Sequence, residues 1–203
     1  MRTILFAVAL LPFSASATAF PSLSCVFTEP FMGIDVWPGG ARAITPEKTL
    51  LLRNRELGGN ALEPKIQGTI AGKPAQLAII NKPGSDGMSD FERPLTGTLS
   101  GWPSAATLQG ACLRYPDGTT PRDVIGIAPT RKLIVRSTSA GAGSIVGRIG
   151  PRGRFWAYPD PLVNGRARGA FERLPASGTN SGSGSGSIVV AEGWVHARFL
   201  KIP

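Results

Sequence analysis

A chain of 203 residues with two cysteines, one histidine, 26 glycines, 18 prolines and a formal net charge of +9 has room for one ordinary domain or two small ones, each closing its core with short elements. A single histidine is too few for the zinc centres on which many hydrolases rest, and a Cys–His pair would need a free thiol beside it. The charge favours an anionic partner and weakens with added salt.

The N-terminus reads as a secretory signal spanning residues 1–19. Arg2 gives the positive start, Ile4 to Phe13 the apolar stretch, and Ala17-Thr18-Ala19 a cleavage site, so the mature chain begins at Phe20. That apolar stretch is too short for a membrane-spanning helix, and no later segment approaches about 20 apolar residues. An exported protein, periplasmic or secreted, with no transmembrane segment after cleavage is therefore expected. Cys25 lies close to the signal, but Ser22 occupies the place where a lipoprotein box carries leucine. The two cysteines read instead as one disulfide, Cys25–Cys112, closing a loop of about 88 residues worth about 4 kcal/mol on loop entropy.

Residues 20–114 read as one disulfide-bonded β domain. Short apolar runs at 23–28, 33–37, 42–45 and 49–54 are separated by Pro30, Pro38-Gly39-Gly40 and Pro46. The runs 65–71 and 75–81 form a hairpin around Gly72-Lys73-Pro74, and 94–100 and 107–114 complete the set. No stretch sustains a 3.6-residue apolar period, so the chain is expected to be all-β. Asp86, Asp90 and Glu92 are too sparse for a calcium loop. Asp86-Gly87 reads as a tight turn, with Asp90 capping the loop. Three fragments here, Cys25-Val26-Phe27-Thr28-Glu29-Pro30-Phe31, Ser85-Asp86-Gly87-Met88-Ser89-Asp90 and Leu108-Gln109-Gly110-Ala111-Cys112, resemble a family of uncharacterised exported bacterial proteins. That family usually has tryptophan where this chain has Met32, and it brings no activity with it.

Residues 115–130, with Pro116, Pro121 and Pro129, read as a linker whose Val124-Ile125-Gly126-Ile127 could add an edge strand to the first domain. Charge divides the chain at this point. Residues 20–130 carry ten Lys/Arg against ten Asp/Glu, whereas 131–203 carry eleven against three.

In the second half, Lys132-Leu133-Ile134-Val135-Arg136-Ser137-Thr138, Ser144-Ile145-Val146-Gly147-Arg148-Ile149 and Gly193-Trp194-Val195-His196-Ala197-Arg198-Phe199-Leu200 resemble the first, second and last strands of a bacterial SH3-like domain. The resemblance covers residues 131–203. It implies a small, non-catalytic β-barrel of the kind that tethers envelope proteins to peptidoglycan or its stem peptides. Two further strands are expected at 154–158 and 169–174. The Gly/Ser-rich stretch 177–187 has no apolar side chains to bury and reads as a mobile loop.

No catalytic residues, cofactor or metal emerge from this pattern. No base stands recognisably beside Ser144 or Ser187, and no glycine-rich phosphate loop is present. A zinc site built from His196, Cys25 and Cys112 would consume the disulfide. The expected ligand-binding surface is an aromatic floor of Trp156, Tyr158 and Trp194 with His196, rimmed by Arg136, Arg154 and Arg198. Phe155 and Trp156 point to opposite sides of their strand, as do Trp194 and Val195, and which member of each pair lies inside is left open. The expected partner is peptidoglycan or an envelope peptide or protein. Nucleic acid is not expected, because an exported basic surface meets wall carboxylates and lipid phosphates first. An alternative role is inhibition or assistance of wall-lytic enzymes through the neutral first domain.

Overall fold

The structure is a computed structural model that describes residues 20–29, 31–87, 91–151, 153–173 and 186–202; the signal segment lies outside them. Strands β1 (Leu23–Phe27), β2 (Met32–Trp37), β3 (Gly40–Ile44), β4 (Thr49–Gly59), β5 (Pro64–Ile70) and β6 (Lys73–Ile80) run as an antiparallel meander. Two short strands, β7 (Gly84–Ser85) and β8 (Phe91–Arg93), stand aside from it, and β9 (Leu95–Ser100) and β10 (Leu108–Arg114) resume it. Strand β10 then pairs with β1, so eight strands close into a barrel with no open edge.

Period-two alternation explains the filling. Leu23, Cys25 and Phe27, then Ile34 and Val36, then Leu77 and Ile79, then Leu95 and Leu99 all belong to one core inside the wall, none more than 7% exposed. Strands β5 and β6 meet as the expected hairpin. Its two turn residues are Ala71 and Gly72, both at positive φ, while Lys73 and Pro74 already belong to β6. Cys25 and Cys112 face each other directly across β1 and β10 and form the expected disulfide inside the barrel. Gly97 on β9 makes room for it, since a Cβ there would collide with Cys112 Sγ.

The rest of the chain forms an antiparallel sheet from β11 (Thr120–Val124), β12 (Leu133–Arg136), β13 (Ile145–Ile149), β14 (Arg154–Ala157), β15 (Arg166–Arg173), β17 (Val189–His196) and β18 (Leu200–Lys201), which follows a 3-10 turn at Ala197–Phe199. The order across it is β13-β12-β17-β15-β14-β11-β18. One face carries its own core of Val135, Phe155, Phe171 and Val195. Strand β11 corrects the reading of 115–130 as a linker with an edge strand for the first domain. Thr120–Val124 pairs with β14 and β18 and so belongs to the second sheet.

Strand β16 (Gly186–Ser187) corrects another expectation. It pairs in parallel with β8, and Ile188 N–H donates to Glu92 O at 3.0 Å. This end of the Gly/Ser-rich stretch is therefore anchored on the first domain; residues 177–185 lie outside the described residues, as does Asp90.

The two domains share a core of their own. Leu113 and Tyr115 from the barrel side meet Trp156, Ala170 and Ile188 from the other. Beside it runs a buried polar network. Asp35, on the outer face of β2 and fully buried, accepts from Ser24 Oγ at 2.8 Å, from Arg42 Nε at 3.0 Å and from Arg154 Nη1. Arg42 turns its two remaining nitrogens to Asp123 of β11, at 2.9 and 2.7 Å. Burial alone would lower the Arg42 pKa, but the hydrogen bonds and charges of Asp123 and Asp35 outweigh it and the pKa is raised. Gly33 gives the Arg154 guanidinium its space, as a Cβ would stand 3.0 Å from Nη2. The network joins both ends of a satisfied set of charges across the interface, so the domains are locked in register rather than tethered.

Candidate functional site

Direct cross-strand partners lie on the same side of a sheet. Trp156 pairs with Ala170, Arg168 with Trp194, Trp194 with Arg136, and Arg166 with His196. These residues therefore share the face of the second sheet opposite its core, and Tyr158, two positions beyond Trp156, joins them. The barrel covers one end of that face. Trp156 is 0% exposed there and stacks on Tyr115. Phe155, its neighbour, is equally buried on the other side, so both members of that pair are interior; of the other pair, Val195 is in the core and Trp194 is half-buried.

The seven expected ligand-binding residues thus divide. Trp156 is closed off by the barrel, and Arg154 is committed to Asp35 and Ser24 across the interface. Neither is free to form a groove, a correction that follows from the docking of one domain on the other. Arg198 falls in the 3-10 turn, which breaks strand alternation, and its guanidinium lies 4.6 Å over the ring of Phe199. The other four stay on the open part of the face. Tyr158 Oη is 2.9 Å from Glu192 Oε1, and Arg168 bonds the same carboxylate at 3.0 Å while stacking 4.8 Å over the Tyr158 ring. Burial, followed by the bond to Glu192, raises the Tyr158 pKa.

Arg136 and His196 line a groove of about 540 Å³ with Arg131, Lys132, Arg166 and Phe199. Arg136 is fixed there by donating from Nη1 to Gly143 O at 2.8 Å. His196 meets Phe199 edge-on at 6.3 Å between ring centroids, and among the described residues its Nδ1 has no hydrogen-bond partner. The result is a cationic groove with an imidazole and an aromatic ring in its wall. Arg131 and Arg166 were missed in the sequence. Arg166 could have been found by extending the β15 alternation back from Ala170.

Among the described residues no three His, Cys, Asp or Glu side chains converge as metal ligands, and no helix is long and apolar enough to cross a membrane. A comparison with known proteins finds no family model, no curated relative and no solved structure that matches the chain. What the fold defines is a two-domain, all-β protein with a disulfide-bonded closed barrel.

Proposed function

We propose that this is a non-enzymatic, exported envelope protein whose second domain is an SH3-like module docking on peptidoglycan or an envelope peptide. The observation that carries the reading is the groove in which Arg131, Lys132, Arg136 and Arg166 surround His196 and Phe199. Cations and an aromatic wall beside an imidazole suit a ligand with carboxylates and amides on a sugar or peptide frame. The segments that resemble an SH3-like module, at 132–138 and 193–200, lie side by side, with Arg136 directly opposite Trp194. A disulfide and, among the described residues, no helix long and apolar enough to cross a membrane are compatible with export.

The test is co-sedimentation of the mature chain, residues 20–203, with insoluble peptidoglycan at low salt and at about 0.5 M salt, where the screening length is only about 4 Å. The whole mature chain is used because β11 and the interface tie the second sheet to the barrel. Binding that falls with salt, and again in Trp194→Ala and Arg136→Ala/Arg166→Ala, is the expected result. A chain that stays in the supernatant at both salts refutes wall docking.

A further inference from the structure

A second cavity, of about 680 Å³, lies between the domains. Its barrel side is formed by Ser24, Val26, Leu113 and Tyr115, and its other side by the ends of β13 and β15, with Ile149 and Phe171. Among the described residues five cationic side chains line it, Arg93, Lys132, Arg148, Arg154 and Arg173, against one carboxylate, Glu172. Two of the five are already matched. Arg154 bonds Asp35, and Arg93 Nη2 donates to Glu172 at 2.6 Å with Asp86 at 3.7 Å from Nη1. Lys132, Arg148 and Arg173 form no ion pair among the described residues. A cavity walled by apolar side chains concentrates the field of such unmatched charges.

A second observation is independent of that count. The Arg93 side chain is 9% exposed, and its Nη1 is buried with no hydrogen bond among the described residues, while the neighbouring nitrogen is held by Glu172. A buried guanidinium N–H with no acceptor is uncommon, and a small turn of the side chain would let it donate to a ligand oxygen in the cleft that Arg93 lines. Glu172 and Asp86 hold the guanidinium in place but leave that bond unmade.

We infer that the cleft between the domains binds a small ligand carrying two negative charges, as a phosphate or a pair of carboxylates, on a partly apolar body. The three unmatched cations supply the charge, Arg93 Nη1 the directed hydrogen bond, and Leu113, Ile149 and Phe171 the apolar wall. The site is separate from the groove on the second sheet. Among the described residues only Lys132 borders both, so the inference stands or falls without the wall-docking reading.

The test uses the mature chain and fluorescence anisotropy with 1-naphthyl phosphate and naphthalene-2,6-dicarboxylate, and competition by inorganic phosphate and acetate. Both naphthyl probes are expected to bind one to one and more tightly than the bare anions; their relative affinity distinguishes a phosphate source from a carboxylate one. Arg148→Ala/Arg173→Ala alters two exposed side chains without ion pairs and should weaken binding by about tenfold or more. The control Arg131→Ala/Arg166→Ala, confined to the other groove, should change it less than about twofold. Arg93→Lys, which keeps the charge but loses the fork, should also weaken it. Failure of both probes to bind, or equal losses in the two double variants, overturns the inference, since the latter would mean non-specific surface charge.

Discussion

The indole of Trp156 lies nearly parallel to the phenol ring of Tyr115, with ring centroids 4.3 Å apart and 12° between planes. One ring belongs to the second sheet and the other to the segment leaving the barrel, so a single stacked pair sits at the centre of the interface. Trp156→Ala removes it together with a fully buried side chain and should cost about 3–5 kcal/mol. Trp156→Phe should cost less, because Trp156 Nε1 has no hydrogen bond to lose among the described residues. Denaturant unfolding followed by both near-UV and far-UV signals checks this. Two separate transitions in the wild-type chain would mean that the interface does not couple the domains.

Asp35 should be the most sensitive charge in the protein. Asp35→Ala leaves Arg42 and Arg154 facing each other's charge at a buried site, at a cost of about 3–5 kcal/mol. A double-mutant cycle pairing Asp35→Ala with Arg42→Met should return a coupling of more than about 1 kcal/mol. Additive losses would show the network to be incidental to stability.

Alkaline conditions should loosen the same interface. Burial, and then the charges of Glu172 and Asp35, push the Tyr115 hydroxyl well above its ordinary pKa. The fold therefore favours the neutral phenol. Its contribution is intact below the unfolded value of about 10 and is lost as pH rises beyond it, by up to about 1.4 kcal/mol per pH unit. Urea midpoints at pH 9, 10 and 11 should fall more steeply for the wild type than for Tyr115→Phe; parallel slopes would contradict the assignment.

Both disulfide cysteines are fully buried within the barrel. Cys25→Ala/Cys112→Ala should cost about 2–5 kcal/mol. In the native protein, reduction should proceed no faster than unfolding exposes the sulfurs, so its rate should saturate with dithiothreitol concentration. A rate that keeps rising in proportion to reductant would mean direct access to the bond.

Much of the fold is legible in the sequence because strand alternation and turn residues are local signals. The β5–β6 hairpin and the all-β class come from such signals, and the disulfide from there being two cysteines in a chain read as exported. Parity likewise sets Trp156 with Tyr158 and Trp194 with His196 on their own strands, but only the register of β14, β15 and β17 brings the two pairs to one face. It says nothing of what that face meets, and the barrel buries the Trp156 end. Arg154 reads as a rim charge until Asp35, 119 positions earlier, is seen beneath it. Thr120–Val124 looks like linker because Pro121 interrupts it; it is a strand through partners at 154–157 and 200–201, and no local pattern encodes partners so distant.

Strand β17 lies between β12 and β15 inside the second sheet, yet it follows β16, where the chain has returned to the first domain to pair with β8 beside the barrel. Because synthesis runs from the N-terminus, the barrel is made first and can act as the template on which the final long strand is set. A product ending before Val189 would keep its barrel but lack the strand joining β12 to β15. Its Leu113 and Tyr115 surface would lose part of its cover, since Val190 packs against that cluster.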